Sequence, residues 1–229
     1  MSIANPRFIA LSFLPILASF FIMGTQVAPA LTQQPVSTNT IPEKKPSRPE
    51  AITAALPNFA SIQNTQEKKQ QFFSYLMPIV KQVNQQVLAE RDKITKLKQK
   101  SPLTKKDKAY LENMAKKYRV KAELADSTQF FKLLLRKVDQ IPPSLVLAQA
   151  ANESAWGTSR FAIKGNNLFG QWCFKKGCGL VPARRNAGSS HEVRKFKSPQ
   201  GSVTAYIHNI NTGRAYAGLR KIRAQKRAE

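Results

Sequence analysis

The chain has 229 residues and a formal net charge of +24, from 37 Lys and Arg against 13 Asp and Glu. Its 42% hydrophobic content is too high for a disordered chain and too low for a multispan membrane protein, and the length allows one ordinary core plus tails. So large a positive charge favours polyanionic partners: nucleic acid, anionic cell wall or an anionic membrane face, among which composition does not choose.

Arg7 is the only charged residue before Glu43. The apolar run Phe8–Met23 comes next, "FIALSFLPILASFFIM", and then A-P-A at Ala28–Ala30. A basic start, an apolar stretch and an A-x-A end describe a secretory signal peptide over residues 1–30, cleaved after Ala30. An uncleaved anchor is the alternative, because the run is only just short of the ~18 residues of a membrane span. Export makes nucleic acid a poor partner. Residues 31–60, with "TQQPVSTNTIPEKKPSRPE", form a Pro-, Ser- and Thr-rich linker without apolar period.

Residues 61–140 are expected to be a helical N-terminal region. Between Thr65 and Lys100, Phe72, Phe73, Leu76, Ile79, Val80, Val83, Val87 and Leu88 recur at helical steps. Pro78 is expected to kink or divide this helix. Thr104, with Asp107 three residues on, caps a second helix carrying Tyr110, Leu111, Met114 and Tyr118. A third lies near Ser127–Asp139.

The core is expected over residues 141–229. Pro143 suits the first position of a small, apolar helix running to about Ser154 and ended by Gly157. A short helix near Ser159–Ile163 precedes a turn at Gly165, Asn166 and Asn167. The segments "LFGQWCF" and "HEVRKF" read as strands of a small hairpin lobe around "GCGLVPARRNAGSS". Ser198, Pro199 and Gly213 bound a further helix, and "AYAGLRKIRAQKRAE" is a last, strongly basic one. Cys173 and Cys178, an even pair in an exported chain, are expected to form a disulfide. A metal site has little support, since His191 and His208, the only histidines, show no paired ligand spacing. No cofactor is implied.

Glu153 carries the chemistry. It lies near the end of an almost wholly apolar helix beside Trp156. A carboxyl among apolar neighbours is desolvated and so favours its protonated form, which suits a general acid. A glycosidic bond needs that proton because an alkoxide leaves poorly. The alternative is that Glu153 caps or pairs with an arginine. Ser154 and Ser159 read as caps, and His208 has no acidic partner for a triad.

The string "LVLAQAANESAWGTSRFAIKGNNLFGQW" resembles the signature of the glucosaminidase family of peptidoglycan hydrolases, glycoside hydrolase family 73. The later "KFKSPQGSVTAYIHNINTGRAYAGLRKIR" is closer to its Bax-type branch. The resemblance covers about Pro142 to Arg223. It implies an α+β, mainly α, lysozyme-like fold with a cleft between a helical lobe and the hairpin lobe. It also implies a peptidoglycan glycan substrate cut at the N-acetylglucosaminyl β-1,4 bond, with Glu153 as proton donor. A family tyrosine needed for activity is matched by Tyr216, whose other reading is a core aromatic. Trp156, Asn167, Phe169 and Trp172 are candidate sugar contacts, with packing or turn formation as their alternatives.

Two departures matter. Many members carry a second carboxylate on the hairpin in a T-x-E element, where this chain has "LVPARRN". Glu192 is the acid left in that lobe, a base or merely a partner for Arg194 or Lys195. If neither acts, the substrate's own N-acetyl oxygen can attack, a recognised exception to the two-carboxylate scheme. Relatives of the branch are also expected to continue with further helix beyond "RAQKRAE". The competing functions are a non-catalytic wall-binding module, a lytic transglycosylase using the same Glu, and a basic nucleic-acid or membrane-surface protein. Under the hydrolase reading the chain is an exported, metal-free monomer, and its C-terminal Lys/Arg cluster holds it on anionic wall or membrane.

Overall fold

The computed structural model describes residues 55–228 apart from 184, 186, 187 and 189. The expected signal peptide and most of the linker lie outside the described residues. The first described element is a single 3-10 turn at Phe59–Ser61, and helix α1 comes next over Thr65–Gln99.

Helix α1 is 35 residues long, roughly 50 Å at 1.5 Å per residue. Asn64 caps it by accepting a bond from the Glu67 amide. Pro78 sits inside and does not divide it. An interior proline costs about 3 kcal/mol, but Leu76, Ile79, Val80 and Val83 around it are all buried. Each such side chain contributes about 1.5–3 kcal/mol, so packing outweighs the proline.

Helix α2 spans Lys105–Lys117 behind a complete capping box of Thr104 and Asp107, and α3 spans Ser127–Lys137 behind Asp126. Helix α4 is Pro143–Ser154 and α5 is Arg160–Gly165. Three short strands come after them: β1 at Trp172–Cys173, β2 at Gly179–Leu180 and β3 at Glu192–Arg194. Helix α6 is Pro199–Thr212, capped by Ser198. A 3-10 turn at Arg214–Tyr216 then leads into α7 at Ala217–Ala228.

The fold is thus mainly helical with a small antiparallel sheet, the α+β lysozyme-like class expected. Helix α1 is its spine, packed by α3, α4 and α6. One apolar cluster runs from Phe59 through Leu111 and Phe130 to Val146 and Ile210. The helices before residue 140 therefore share a core with those after it, and no packing boundary falls at 140/141. Among the described residues, no helix is long and apolar enough to cross a membrane.

The hairpin lobe differs from expectation in its third strand. Strand β3 is central, with Trp172 opposite Val193 on one side and Leu180 opposite Val193 on the other. The Cys173–Cys178 disulfide turns the chain back so that β2 arises inside what reads as a connection. Gly179 makes the approach sterically feasible: a Cβ there would lie 2.0 Å from the Val193 carbonyl oxygen.

The basic C-terminal helix is also not the free cationic face the sequence suggests. Arg220 Nη1 donates to the carbonyls of Ile210 (2.7 Å) and Gly213 (2.8 Å). Arg223 Nη1 donates to Asn211 Oδ1 at 2.8 Å and to the Gln140 carbonyl at 3.1 Å. Arg227 grips both oxygens of Asp139, at 2.8 and 2.6 Å. Asp139 is 2% exposed. These arginines dock α7, so their removal is a stability change before it is a binding change.

Candidate functional site

Helix α4 buries Val146, Leu147, Ala150, Ala151 and Ser154. At 100° per residue Glu153 falls roughly a quarter turn from the centre of that face, and it is exposed. The desolvated carboxyl expected from the apolar sequence is therefore not found in the free protein. The helix's apolar side chains face the core, and the acid stands at their edge.

The residues after Glu153 fix the end of the helix. Ser154 Oγ donates to the Ala150 carbonyl at 2.6 Å and accepts from the Gly157 amide at 2.8 Å. Ala155, Trp156 and Gly157 then all have positive φ, at 50°, 58° and 77°. The left-handed region costs a non-glycine residue roughly 1–2 kcal/mol, so tertiary contacts must hold the turn. The Trp156 indole does so by meeting Phe72 and Phe73 edge-on, at 5.8 and 5.2 Å between centroids, with Lys69 over its ring. A Cβ on Gly157 would come within 2.6 Å of Phe59. The helix therefore ends at Ser154, capped by left-handed Ala155, ahead of Gly157. In the E-S-A-W-G string, four residues build the turn and Glu153 is left to face outward. Trp156 packs on α1.

Opposite Glu153 lies the segment 168–171. Asn167 anchors it and is 2% exposed. Its Nδ2 donates to the carbonyls of Gln171 and Arg194, and its Oδ1 accepts from the amides of Phe169 and Gln171. All its polar capacity is used internally, which removes it as a sugar ligand. Asn166 takes the left-handed turn position and donates to the Phe196 carbonyl. Phe169 is buried and stacks flat on Tyr206, 4.0 Å apart at 5°, so it too is packing.

That stack brings in a residue that sequence reasoning missed. Burial pushes the Tyr206 phenol up to about 12, with Tyr216 and the Glu153 carboxylate close enough to add to the shift. Gly170, at φ 62°, faces the same carboxylate, where a Cβ would lie 3.8 Å from Glu153 Oε2. Glu153, Gly170, Tyr206 and half-buried Tyr216 thus form one cluster from α4, the 168–171 segment, α6 and the turn before α7. The available signal was the Ala-Tyr pair in "TAYIHNI", which recurs at Tyr216 in "GRAYAGLR".

Glu192 goes elsewhere. It is 5% exposed, and its two oxygens accept from the amides of Gly177 (2.9 Å) and Gly179 (2.7 Å). Those two amide bonds, with a smaller contribution from Arg185, hold its carboxyl below the usual carboxylate range. A carboxylate so held is a weak base, and its task is to brace the disulfide loop. Because its folded-state value is depressed, its contribution to stability is present above the ordinary carboxylate range. That contribution is lost as pH falls through the lowered value. Protection of the Gly177 and Gly179 amides against exchange should therefore drop on acidification in the wild type. In Glu192→Gln it should be weak and flat with pH, and equal profiles would refute the bracing role. Cys173, Cys178 and Glu192 also place their ligand atoms within 4.8 Å of one another, but the sulfurs are bonded to each other and are not thiolate ligands.

Trp172 is 58% exposed and lies flat on His191, 4.2 Å away at 17°. A pre-oriented exposed indole suits stacking on a sugar face. With Gln171, the residue after Gly170, it lines a groove of about 1000 Å³.

Residues 128–229 match the family described as mannosyl-glycoprotein endo-beta-N-acetylglucosaminidase, the glucosaminidase domain. Over 181 residues the chain is 35% identical to Protein bax of Escherichia coli (strain K12), a match that covers 79% of this chain and 64% of that protein. The chain thus spans a little under two thirds of the length of that curated relative. No solved structure matches it.

Proposed function

Since residues 128–229 belong to the glucosaminidase family, in its Bax-type branch, we propose that the protein cleaves the N-acetylglucosaminyl β-1,4 bond of peptidoglycan glycan with Glu153 as proton donor. The observation that carries this is the outward-facing Glu153 carboxyl, held on a braced helix end beside Gly170, Tyr206 and Tyr216. A glycan lying over a carboxyl excludes water and favours its neutral, proton-donating form. The bound substrate would then supply the desolvation that the free protein lacks.

Tyr206, kept as a neutral phenol, can donate a hydrogen bond to an acetamido oxygen, and Tyr216 lies beside it. With Glu192 bound to backbone amides, a single-acid mechanism is the better supported one. The substrate's N-acetyl oxygen attacks the anomeric carbon as Glu153 protonates the departing glycosidic oxygen. Water then opens the resulting oxazoline and returns a proton to Glu153. The same economy of acids favours a second reading, lytic transglycosylation, in which a sugar hydroxyl attacks in place of water.

Digestion of purified peptidoglycan in 18O-water distinguishes the two. The expected product carries one 18O at a new N-acetylglucosamine reducing end. An unlabelled anhydro end would make the protein a transglycosylase. Release of no fragment at all would leave a non-catalytic wall-binding module. The Cys173–Cys178 disulfide suits an oxidising compartment, which supports export to the cell envelope. The protein is read as a monomer without metal or cofactor, its exposed lysines favouring anionic wall or membrane over nucleic acid.

A further inference from the structure

The groove beside the site is strongly cationic. Arg119, Arg194, Lys195 and Lys197 line it, and all are exposed. Among the described residues, Glu90 is the one carboxylate on its wall. It is already engaged, accepting from Lys117 at 2.5 Å and from the Tyr118 hydroxyl at 2.7 Å. No salt bridge joins the other four cations to a carboxylate among the described residues. Four positive charges along one groove, none paired with a carboxylate among the described residues, raise the local potential and attract an anion. A neutral sugar gives no reason for them.

The position of the groove narrows the choice of anion. Gln171 and Trp172 on its wall follow directly in the chain on Gly170, the glycine that faces Glu153. A ligand in it would be continuous with a glycan at the acid. Its volume of about 1000 Å³ is at the upper end of the ~300–1,000 Å³ of small-molecule sites, room for several residues of extended chain. Of its lining residues, Gln171 has its Oε1 buried without a hydrogen-bond donor. Leaving an acceptor so costs about 1–3 kcal/mol, which a turn of the side chain toward an incoming backbone N–H would relieve. Peptide amides carry such donors, as sugar hydroxyl and acetamido groups do, so it is the positive charge of the groove that selects the anionic stem.

We propose that this groove receives the peptide stem borne by the glycan that Glu153 cuts, holding it by its carboxylates. The proposal rests on the glycosidase reading for the continuity of stem and glycan. It makes the substrate stem-bearing glycan in preference to bare glycan.

The test is binding of soluble fragments to the full chain, by calorimetry at low and moderate salt. The ligands are a peptidoglycan disaccharide carrying its peptide and the same disaccharide without it. The peptide-bearing fragment should bind at least about ten-fold more tightly, about 1.4 kcal/mol, and the ratio should shrink with salt. In Lys195→Glu/Lys197→Glu the ratio should fall toward one. Lys195→Ala/Lys197→Ala, with a thermal midpoint checked against wild type, serves if the reversal does not fold. Equal binding of the two fragments, or a variant that weakens both alike, overturns the proposal. So does a duplex oligonucleotide that displaces the fragment at lower concentration than free stem peptide does. A preserved ratio in a protein that releases nothing from the wall would overturn the glycosidase reading and leave the groove assignment standing.

Discussion

Glu153→Gln should abolish release of new ends from purified peptidoglycan while leaving the fold intact. General acid catalysis contributes on the order of 10²–10⁴-fold, and an amide of the same shape has no proton to give. The loss should appear in kcat, with fragment binding retained, because the substitution preserves size and hydrogen-bonding reach. Stability should stay within about 0.5 kcal/mol, as for other exposed positions. Nothing buried depends on the side chain: the Ser154 hydroxyl, the Trp156 ring and Gly157 hold the turn. A zymogram with an undiminished clearing zone, or a midpoint that falls with the activity, would remove Glu153 as the acid.

Asp139→Ala should produce the largest loss of stability. The carboxylate is 2% exposed and lies 3.6 Å from Arg91, 3.7 Å from Arg223 and 2.6 Å from Arg227. Burial already pushes the Arg223 guanidinium down to about 10, against the pull of Asp139. Removing the anion would leave the partly buried Arg91 and Arg223 guanidiniums close together with no counter-charge between them. Breaking one side of a buried ion pair costs about 3–5 kcal/mol. At 2–4 °C per kcal/mol for a chain of this size, the midpoint should fall on the order of 10 °C. Arg227→Ala is the informative contrast: its side chain is 40% exposed, solvent screens the pair, and the cost should be about 1 kcal/mol or less. A thermal melt in which both variants lose equally would contradict a buried hub. Since α7 begins directly after Tyr216, loosening of this hub should also lower activity.

These two residues mark different depths of legibility. Glu153 was legible as a candidate from its apolar helix and from the family resemblance of the string around it, both of which are written within a few positions. Asp139 could not, because its partner Arg227 is 88 residues away. Glu192 was legible as an acid in the right lobe and illegible as a brace. Its role depends on amides at Gly177 and Gly179, which the disulfide and a three-stranded register bring to it.

By itself the sequence determined the elements that local forces set: helix starts at Thr104 and Ser198, the cysteine pair, and a glutamate at the end of α4. Capping bonds, apolar period and short loop closure act over a handful of residues, so their outcome is printed in neighbouring letters. The tertiary structure alone decided which charges are shielded. It exposed Glu153, set Tyr206 beside it, enclosed Asp139 among arginines and left four cations open along a groove. Desolvation and Coulomb energy depend on distances through space, and those exist only once distant segments have packed.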